Sequence, residues 1–313
     1  MKYRVFVDGQ EGTTGLRIHE FLSQRGDIEL LKIDADKRKD PAMRTELLNA
    51  ADVAFLCLPD SAAREAAAMV RNPKTCVIDA STAHRTDPAW VFGIPELAPS
   101  QREKIRGSKR ISNPGCHATG FILLLRPLVD AGLVAADLPI SATSVTGYSG
   151  GGKKMIEQYQ AGRDARLDSP RPYGLTLAHK HLPEMIVHSG MQVAPNFLPI
   201  VGNFLKGLAV FVPLHLSQLR VGSTANEVHE VLEKRYECEH FLRIMPLRDR
   251  AILAEKYFDV QACNDTNRVE IFVLGNENQV LLISRLDNLG KGASGAAVQA
   301  MNVHLGLDET LGL

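Results

Sequence analysis

Three glycines at a spacing of three, directly after a β-rich run, constrain this chain more than any other feature. Tyr3 to Asp8 reads as a strand. Gly9, Gly12 and Gly15 follow as G-x-x-G-x-x-G, and a helical pattern starts near Thr14 with Leu16, Phe21 and Leu22 on one face. Glycine lets the backbone turn tightly, and the helix behind it presents unbonded N–H groups and the positive end of its dipole. Strand, turn and helix in this order are the local plan of a dinucleotide-binding βαβ unit. The same string also suits a glycine turn that binds nothing, but its context favours the first reading. At the end of the second strand, Asp34 and Asp36 suit a free ribose 2′-hydroxyl, whereas Lys37, Arg38 and Lys39 suit a 2′-phosphate. Three adjacent cations would otherwise repel one another, which weighs toward NADP over a solvated surface loop.

Further strands are expected at Ile28 to Asp34, Val53 to Pro59 and Cys76 to Ala80, with a helix over Asp60 to Arg71. Short apolar strands alternating with helices imply a parallel sheet covered on both faces. After residue 116 the pattern changes. A strand is expected over Leu138 to Thr146, and helices over Lys153 to Gln160, Leu177 to Val187 and Thr224 to Tyr236. Extended runs cover Leu205 to Leu216, Arg268 to Gly275 and Gln279 to Leu286. Gly275-Asn276-Glu277-Asn278 is a hairpin turn between the last two. The fold class is therefore α/β, a Rossmann-type doubly wound parallel sheet plus a second α+β domain with a mixed or antiparallel sheet. The expected domains are a dinucleotide-binding unit over residues 1–115, completed by the small-residue C-terminal segment 288–313, and a catalytic, substrate and oligomerisation unit over 116–287.

With 36 basic and 36 acidic residues, the chain has no bulk electrostatic pull toward nucleic acid or anionic lipid. No apolar run reaches the ~20 residues that span a bilayer, and the first residues lack the pattern of a signal peptide. Five cysteines, an odd number set far apart, argue against a disulfide framework and for a reducing cytoplasm. Cys57 and Cys76 read as inert strand residues, and Cys238 and Cys263 as residues of polar loops.

Cys116 differs. Ser112-Asn113-Pro114-Gly115-Cys116-His117 follows a short strand and precedes the apolar run Phe121 to Val129, so Cys116 falls at a helix N-terminus. That setting stabilises a thiolate, and a thiolate attacks acyl carbons. An acid/base partner is expected from His179-Lys180-His181-Leu182-Pro183-Glu184, where a carboxylate follows the histidine pair. Zinc at His179 and His181 is the competing chemistry, but no further ligand stands at matching spacing, so no metal is expected. The other eight histidines read as surface or packing residues. Ser149-Gly150-Gly151-Gly152-Lys153 is a second glycine-rich loop, able to hold an anion through its backbone or simply to be flexible. Arg85 and Arg163 are candidate anion contacts.

Taken in order, the glycine turn, SNPGC, HKHLPE and Asp287-Asn288-Leu289-Gly290-Lys291-Gly292 resemble the N-acetyl-γ-glutamyl-phosphate reductases of arginine biosynthesis, over nearly the whole chain. Asp79-Ala80-Ser81-Thr82-Ala83-His84-Arg85 and Gly93-Ile94-Pro95-Glu96-Leu97 are similar to the shorter subfamily. Gln10 and Glu11 depart from the more uniform small-residue turn of longer relatives. The resemblance implies NADPH-dependent reduction of an acyl phosphate to an aldehyde through a cysteine thioester. Cys116 would be the nucleophile, and His181, or His179, the acid/base, with Glu184 beside them. Gly9, Gly12, Thr13, Thr14, Gly15, Lys37, Arg38, Ser81, Gly152, Asn288 and Gly292 would line the NADP site. Asn113, Arg85 and Ser149 would meet the substrate. A homo-oligomer, dimer or tetramer, is expected. Aspartate-semialdehyde dehydrogenase or an aminoadipate-type reductase shares this plan, and a non-catalytic NADP-binding sensor is the alternative of a different class.

Overall fold

A computed structural model describes residues 2–162 and 164–313. The chain divides into two compact units, one formed by residues 1–115 and 293–313 and the other by Cys116–Gly292.

The first unit opens with β1 (Tyr3–Asp8), α1 (Thr13–Ser23), β2 (Ile28–Leu31), α2 (Pro41–Ala50), β3 (Val53–Leu56), α3 (Asp60–Met69) and β4 (Cys76–Asp79). It continues with β5 (Val91–Phe92), α4 (Gln101–Gly107) and β6 (Arg110–Ser112). The six strands form one parallel sheet in the order β2-β1-β3-β4-β6-β5. Alternate residues of each strand feed opposite faces, as the two-residue repeat of a strand requires. Val5, Val7, Val53, Phe55, Cys76 and Ile78 pack with Ile18 and Leu22 of α1 on one side. Phe6, Ala54, Leu56 and Val77 pack with Leu48 of α2 and Ala66 of α3 on the other.

The second unit comprises α5 (Cys116–Asp130), β7 (Ser141–Gly147), α6 (Gly152–Gln160), β8 (Arg171–Pro172), α7 (Leu182–Ser189), β9 (Asn196–Gly202) and β10 (Leu208–His215). After these come α8 (Ala225–Tyr236), β11 (Leu242–Ile244), α9 (Arg250–Glu255), β12 (Val269–Gly275) and β13 (Gln279–Leu286). Its strands form a mixed seven-stranded sheet, β11-β12-β13-β10-β7-β9-β8. The long antiparallel pairs are β10 with β13 and β12 with β13, while β7 and β9 run parallel. Helix α5 is almost wholly buried and packs on β10 and β13. Gly120 makes that approach possible, because a Cβ there would lie 2.6 Å from Ser284 Oγ and 2.7 Å from a Val210 methyl.

The chain then returns to the first unit through α10 (Gly295–Leu305). Ala297, Val298, Ala300, Met301 and Val303 join the core beneath α1. Arg25 secures the return. It is buried, holds both oxygens of Asp27 at 3.0 and 2.6 Å, and donates to Asn302 Oδ1 at 2.6 Å and to the Leu311 carbonyl at 3.1 Å.

Several expected elements shift. The helix expected over Leu177 to Val187 begins only at Leu182, because Pro183 suits a first helical turn and Leu177 has a left-handed φ of 56°. Strand β7 begins at Ser141, after a loop containing Pro139. Leu16 is half exposed, and the buried face of α1 is Gly15, Ile18 and Leu22. Cys263 is fully buried rather than set in an open polar loop.

Arg25→Met is expected to cost about 2 kcal/mol in urea unfolding, since it strands Asn302 and Asp27. The Arg25 hydrogen bond holds the Asp27 carboxyl below its ordinary value. That contribution is present above pH 4 and is lost as the pH falls through the lower folded-state value. The stability gap between wild type and variant should therefore narrow below about pH 4, leaving the part due to Asn302 and Leu311.

Candidate active site

In the first unit the glycine turn is shaped from within. Gly9 has φ +90°, and a side chain there would run into the Cys57 carbonyl; at Gly15 a Cβ would be 2.9 Å from the Gln10 Cα. Gly12 differs, since a Cβ there would meet only the Gly9 and Cys57 carbonyl oxygens, at 3.5 and 3.8 Å. The interior does not demand a glycine at this position. Gly12 is also the N-cap of α1, without a side-chain cap or an acidic residue in the first turn. Bare N–H groups over a residue with no side chain are what a pyrophosphate requires, so these residues fit a dinucleotide. Thr13 and Thr14 open α1, and the Thr14 carbonyl accepts from Ser294 Oγ at 3.1 Å.

The basic cluster is differently placed than the repulsion argument assumed. Arg38 forms an ion pair with Glu11 of the glycine turn, and Lys37 lies 3.8 Å from Asp34. At the end of β4, Asp79 is fully buried and gathers three partners. It accepts from the Ser81 backbone N–H at 2.9 Å and from Ser81 Oγ at 2.7 Å, and His84 Nδ1 lies 2.7 Å away. The His84 ring stacks on Trp90 with centroids 4.0 Å apart. Arg85 is buried and gives Nε to the Asn113 carbonyl at 2.9 Å and a second nitrogen to the Ala80 carbonyl at 3.2 Å, bracing the ends of β4 and β6. The Asn113 amide donates to the Ala293 carbonyl at 2.9 Å; its buried Oδ1 has no hydrogen-bond partner among the described residues. Arg163 lies outside the described residues.

In the second unit Cys116 is the first residue of α5, half-buried. Gly292 packs directly on it, where a Cβ would lie 2.8 Å from Cys116 Cβ, so this glycine is required by a close approach. His117, the next residue, is buried. Its ring lies 5.4 and 5.5 Å from those of His179 and His181, which are themselves 4.8 Å apart. The His181 backbone N–H donates to His179 Nδ1 at 3.2 Å, which fixes the neutral His179 with its proton on Nε2. His181 is buried, and its Nε2 stands 4.0 Å from the buried Glu184 carboxylate. The two histidines precede α7 instead of lying within it. Ser149 and Asn288 meet, Asn288 Nδ2 donating to Ser149 Oγ at 2.9 Å and Asn288 Oδ1 accepting the Gly207 N–H at 2.9 Å. Gly152, with φ +74°, starts α6.

Four features of these two regions escape sequence reasoning. His84 and His117 are buried, bonded groups instead of surface or packing residues. Tyr173 reaches the histidine cluster from the loop after β8, its hydroxyl 2.9 Å from His117 Nε2. Lys291, inside the DNLGKG segment, is fully buried with its ammonium 5.6 Å from the centre of the Phe241 ring. The only signal for His117 is its place beside the cysteine.

Residues 4–105 match the family model "Semialdehyde dehydrogenase, NAD binding domain", and residues 116–288 match "Semialdehyde dehydrogenase, dimerisation domain". The N-acetyl-gamma-glutamyl-phosphate reductase 2 of Nostoc sp. is 48% identical over all of this chain and 99% of its own length. This chain belongs to the N-acetyl-gamma-glutamyl-phosphate reductase family. The reductase of Burkholderia cenocepacia is likewise 48% identical, over 96% of this chain and 97% of its own. The fold is that of the aspartate semialdehyde dehydrogenases. The Vibrio cholerae enzyme II matches with a TM-score of 0.73 at 16% identity, over 97% of this chain and 98% of its own. The Candida albicans enzyme with NADP matches with 0.63 at 16% identity, over 97% and 98%. The family is one of oxidoreductases, with a nicotinamide-binding domain and a domain for association between copies. No helix among the described residues is long and apolar enough to cross a membrane, and they hold no group of three or more metal-ligating side chains.

Burial pushes the Cys76 thiol up to about 12 and the Cys263 thiol up to about 11, and raises that of Cys57 further. A thiol reagent at pH 7.5 should thus modify two of the five cysteines in the native protein, Cys116 and the exposed Cys238. All five should react in denaturant. Fast native modification of three or more would contradict this burial.

Proposed function

We propose that the chain catalyses the NADPH-dependent reduction of N-acetyl-L-glutamyl 5-phosphate to N-acetyl-L-glutamate 5-semialdehyde and phosphate. The observation that carries this is Cys116 at the start of a buried helix, next in sequence to His117, whose ring lies beside those of His179 and His181, in a chain 48% identical to named reductases over its whole length.

The Cys116 thiolate attacks the acyl-phosphate carbonyl, phosphate leaves with its bonding electron pair, and a thioester remains. Gly9, Gly12, Thr13, Thr14 and Gly15 would hold NADPH, which when bound would supply the hydride for the acyl carbon. His181 is the acid/base. It gives its proton to the oxyanion as this develops and recovers it as the carbon–sulfur bond breaks, releasing aldehyde and thiolate. The buried Glu184 carboxylate, 4.0 Å from its Nε2, orients the ring. His179, whose Nδ1 is occupied by a backbone N–H, offers an Nε2–H donor to the substrate. Asn113, Arg85 and Ser149 complete the substrate contacts. Ser81, Gly152, Asn288 and Gly292 would be the contacts of the nicotinamide end. Arg38 and Lys37 would hold the 2′-phosphate.

In this reading residues 1–115 with 288–313 bind the dinucleotide, and 116–287 carry the nucleophile and the contacts between copies, as a dimer or tetramer. Five free thiols suit a cytoplasmic enzyme.

In the reverse direction, N-acetylglutamate 5-semialdehyde should drive phosphate-dependent reduction of NADP⁺. Cys116→Ser is expected to lower kcat at least 10³-fold, and His181→Asn roughly 10²-fold or more, with a smaller loss for His179→Asn. Turnover of aspartate semialdehyde alone would overturn the substrate assignment, and unimpaired Cys116→Ser the mechanism.

A further inference from the structure

The hydrogen bonds around Asp79 fix the polarity of Ser81. Asp79 ends β4 and is fully buried. Its Oδ1 accepts from the Ser81 backbone N–H at 2.9 Å and its Oδ2 from Ser81 Oγ at 2.7 Å. His84 Nδ1 reaches the same Oδ2 at 2.7 Å, its ring braced against Trp90. A carboxylate can only accept, so each partner of Oδ2 brings a proton: Ser81 its hydroxyl hydrogen, His84 its Nδ1–H. The Ala83 backbone N–H then donates to Ser81 Oγ at 3.1 Å. A hydroxyl has one proton and two lone pairs. Ser81 has thus spent its proton and one lone pair within the protein, and a single lone pair is left to offer. Thr82, whose N–H donates to Asp60 Oδ1 at 2.9 Å, ties the same segment to α3.

The register of the sheet gives this group an address. Asp8, the last residue before the glycine turn, pairs with Leu56, and Leu56 pairs with Asp79. Two strand spacings put the end of β4 about 10 Å from the end of β1. Both lie at the carboxyl edge of a parallel sheet, where dinucleotides bind. A pyrophosphate at Gly12 leaves one ribose and the ring it carries to cover that span. On the other side of β1, β2 leads toward Lys37 and Arg38, so the two halves of the dinucleotide part at the glycine turn.

We propose that Ser81 is a specificity-determining residue that accepts a hydrogen bond from the carboxamide N–H of the nicotinamide, and that Asp79 is the positioning residue that makes it an acceptor. The inference rests on the glycine turn holding a nicotinamide dinucleotide. The carboxamide carries a donor, its NH₂, and an acceptor, its carbonyl oxygen. A serine free to rotate serves either one. Held by Asp79, it serves the N–H alone, and so selects one of the two orientations of the carboxamide.

Isothermal titration calorimetry of the full chain with NADP⁺ and two analogues tests this without substrate. The 3-acetylpyridine analogue keeps the carbonyl and has a methyl group in place of NH₂. The thionicotinamide analogue keeps the NH₂ and has sulfur in place of the carbonyl oxygen. Wild type should bind the thionicotinamide analogue about as well as NADP⁺, and the acetylpyridine analogue about tenfold more weakly, the worth of one hydrogen bond. Ser81→Ala should weaken NADP⁺ about tenfold and leave the acetylpyridine analogue unchanged, so that the two bind alike. In Asp79→Asn the new amide can donate to Ser81 Oγ and release the hydroxyl proton toward a carbonyl, so the acetylpyridine analogue should bind as well as NADP⁺. A purely structural role for Asp79 would instead weaken all three ligands by one factor and preserve the wild-type ratio. That result, equal binding of NADP⁺ and the acetylpyridine analogue by wild type, or an equal effect on both in Ser81→Ala would overturn the proposal. Failure of wild type to bind any of these dinucleotides would overturn the cofactor reading and this inference together. The expected ratios in a protein inactive on N-acetylglutamate 5-semialdehyde would sink the substrate assignment alone.

Discussion

Helix α5 lies so close to β10 and β13 that Gly120 has no room for a methyl group, and the second unit is organised around that contact. A helix held this tightly cannot slide or roll without clashing. Its first turn therefore presents Cys116 and His117 in one fixed orientation. The close contact of Gly292 with Cys116 repeats the device from the other side. For the proposed nucleophile this matters, because orientation set before the substrate arrives is a large share of what a site contributes to rate. Two glycines, distant in sequence, supply that orientation by omitting a carbon.

The histidine cluster solves an electrostatic problem. Three imidazoles within about 5.5 Å of one another cannot all be cationic. Burial keeps His117 neutral and assigns it hydrogen bonding. Of the three, His181 is the one that stands near a carboxylate, its Nε2 4.0 Å from Glu184. Three chemically identical side chains thus have different surroundings.

Legibility in the sequence followed the range of the interactions. The turn at Gly9, Gly12 and Gly15, the hairpin after Gly275 and the placement of Cys116 are set within a few residues, and all could be read. So could the parallel sheet, because each strand is a short apolar run between helices. Helix α2 is faint in the sequence although Asp40 caps Ala42 and Pro41 stands in the first turn, because only Leu48 of that helix is buried and no apolar stripe marks it. The start of α7 was displaced because the Pro183 signal competed with a plausible helical pattern. His117 was missed for a different reason: its partners are 27 and 56 residues away, and nothing local announces them. The ion pair of Arg38 with Glu11 likewise joins two loops that the sequence keeps apart.

The dinucleotide unit is not continuous in the chain. Its core includes five residues of α10, and Arg25 is satisfied only when Asn302 and Leu311 arrive. During synthesis, the strands and the glycine turn emerge first, but the apolar face beneath α1 remains uncovered until residues 293–313 leave the ribosome. The second unit, contiguous from Cys116 to Gly292, has all its parts before that moment. The element made first is thus completed last, and every full-length chain acquires a finished nucleotide fold only after the thiol-bearing unit has been synthesised.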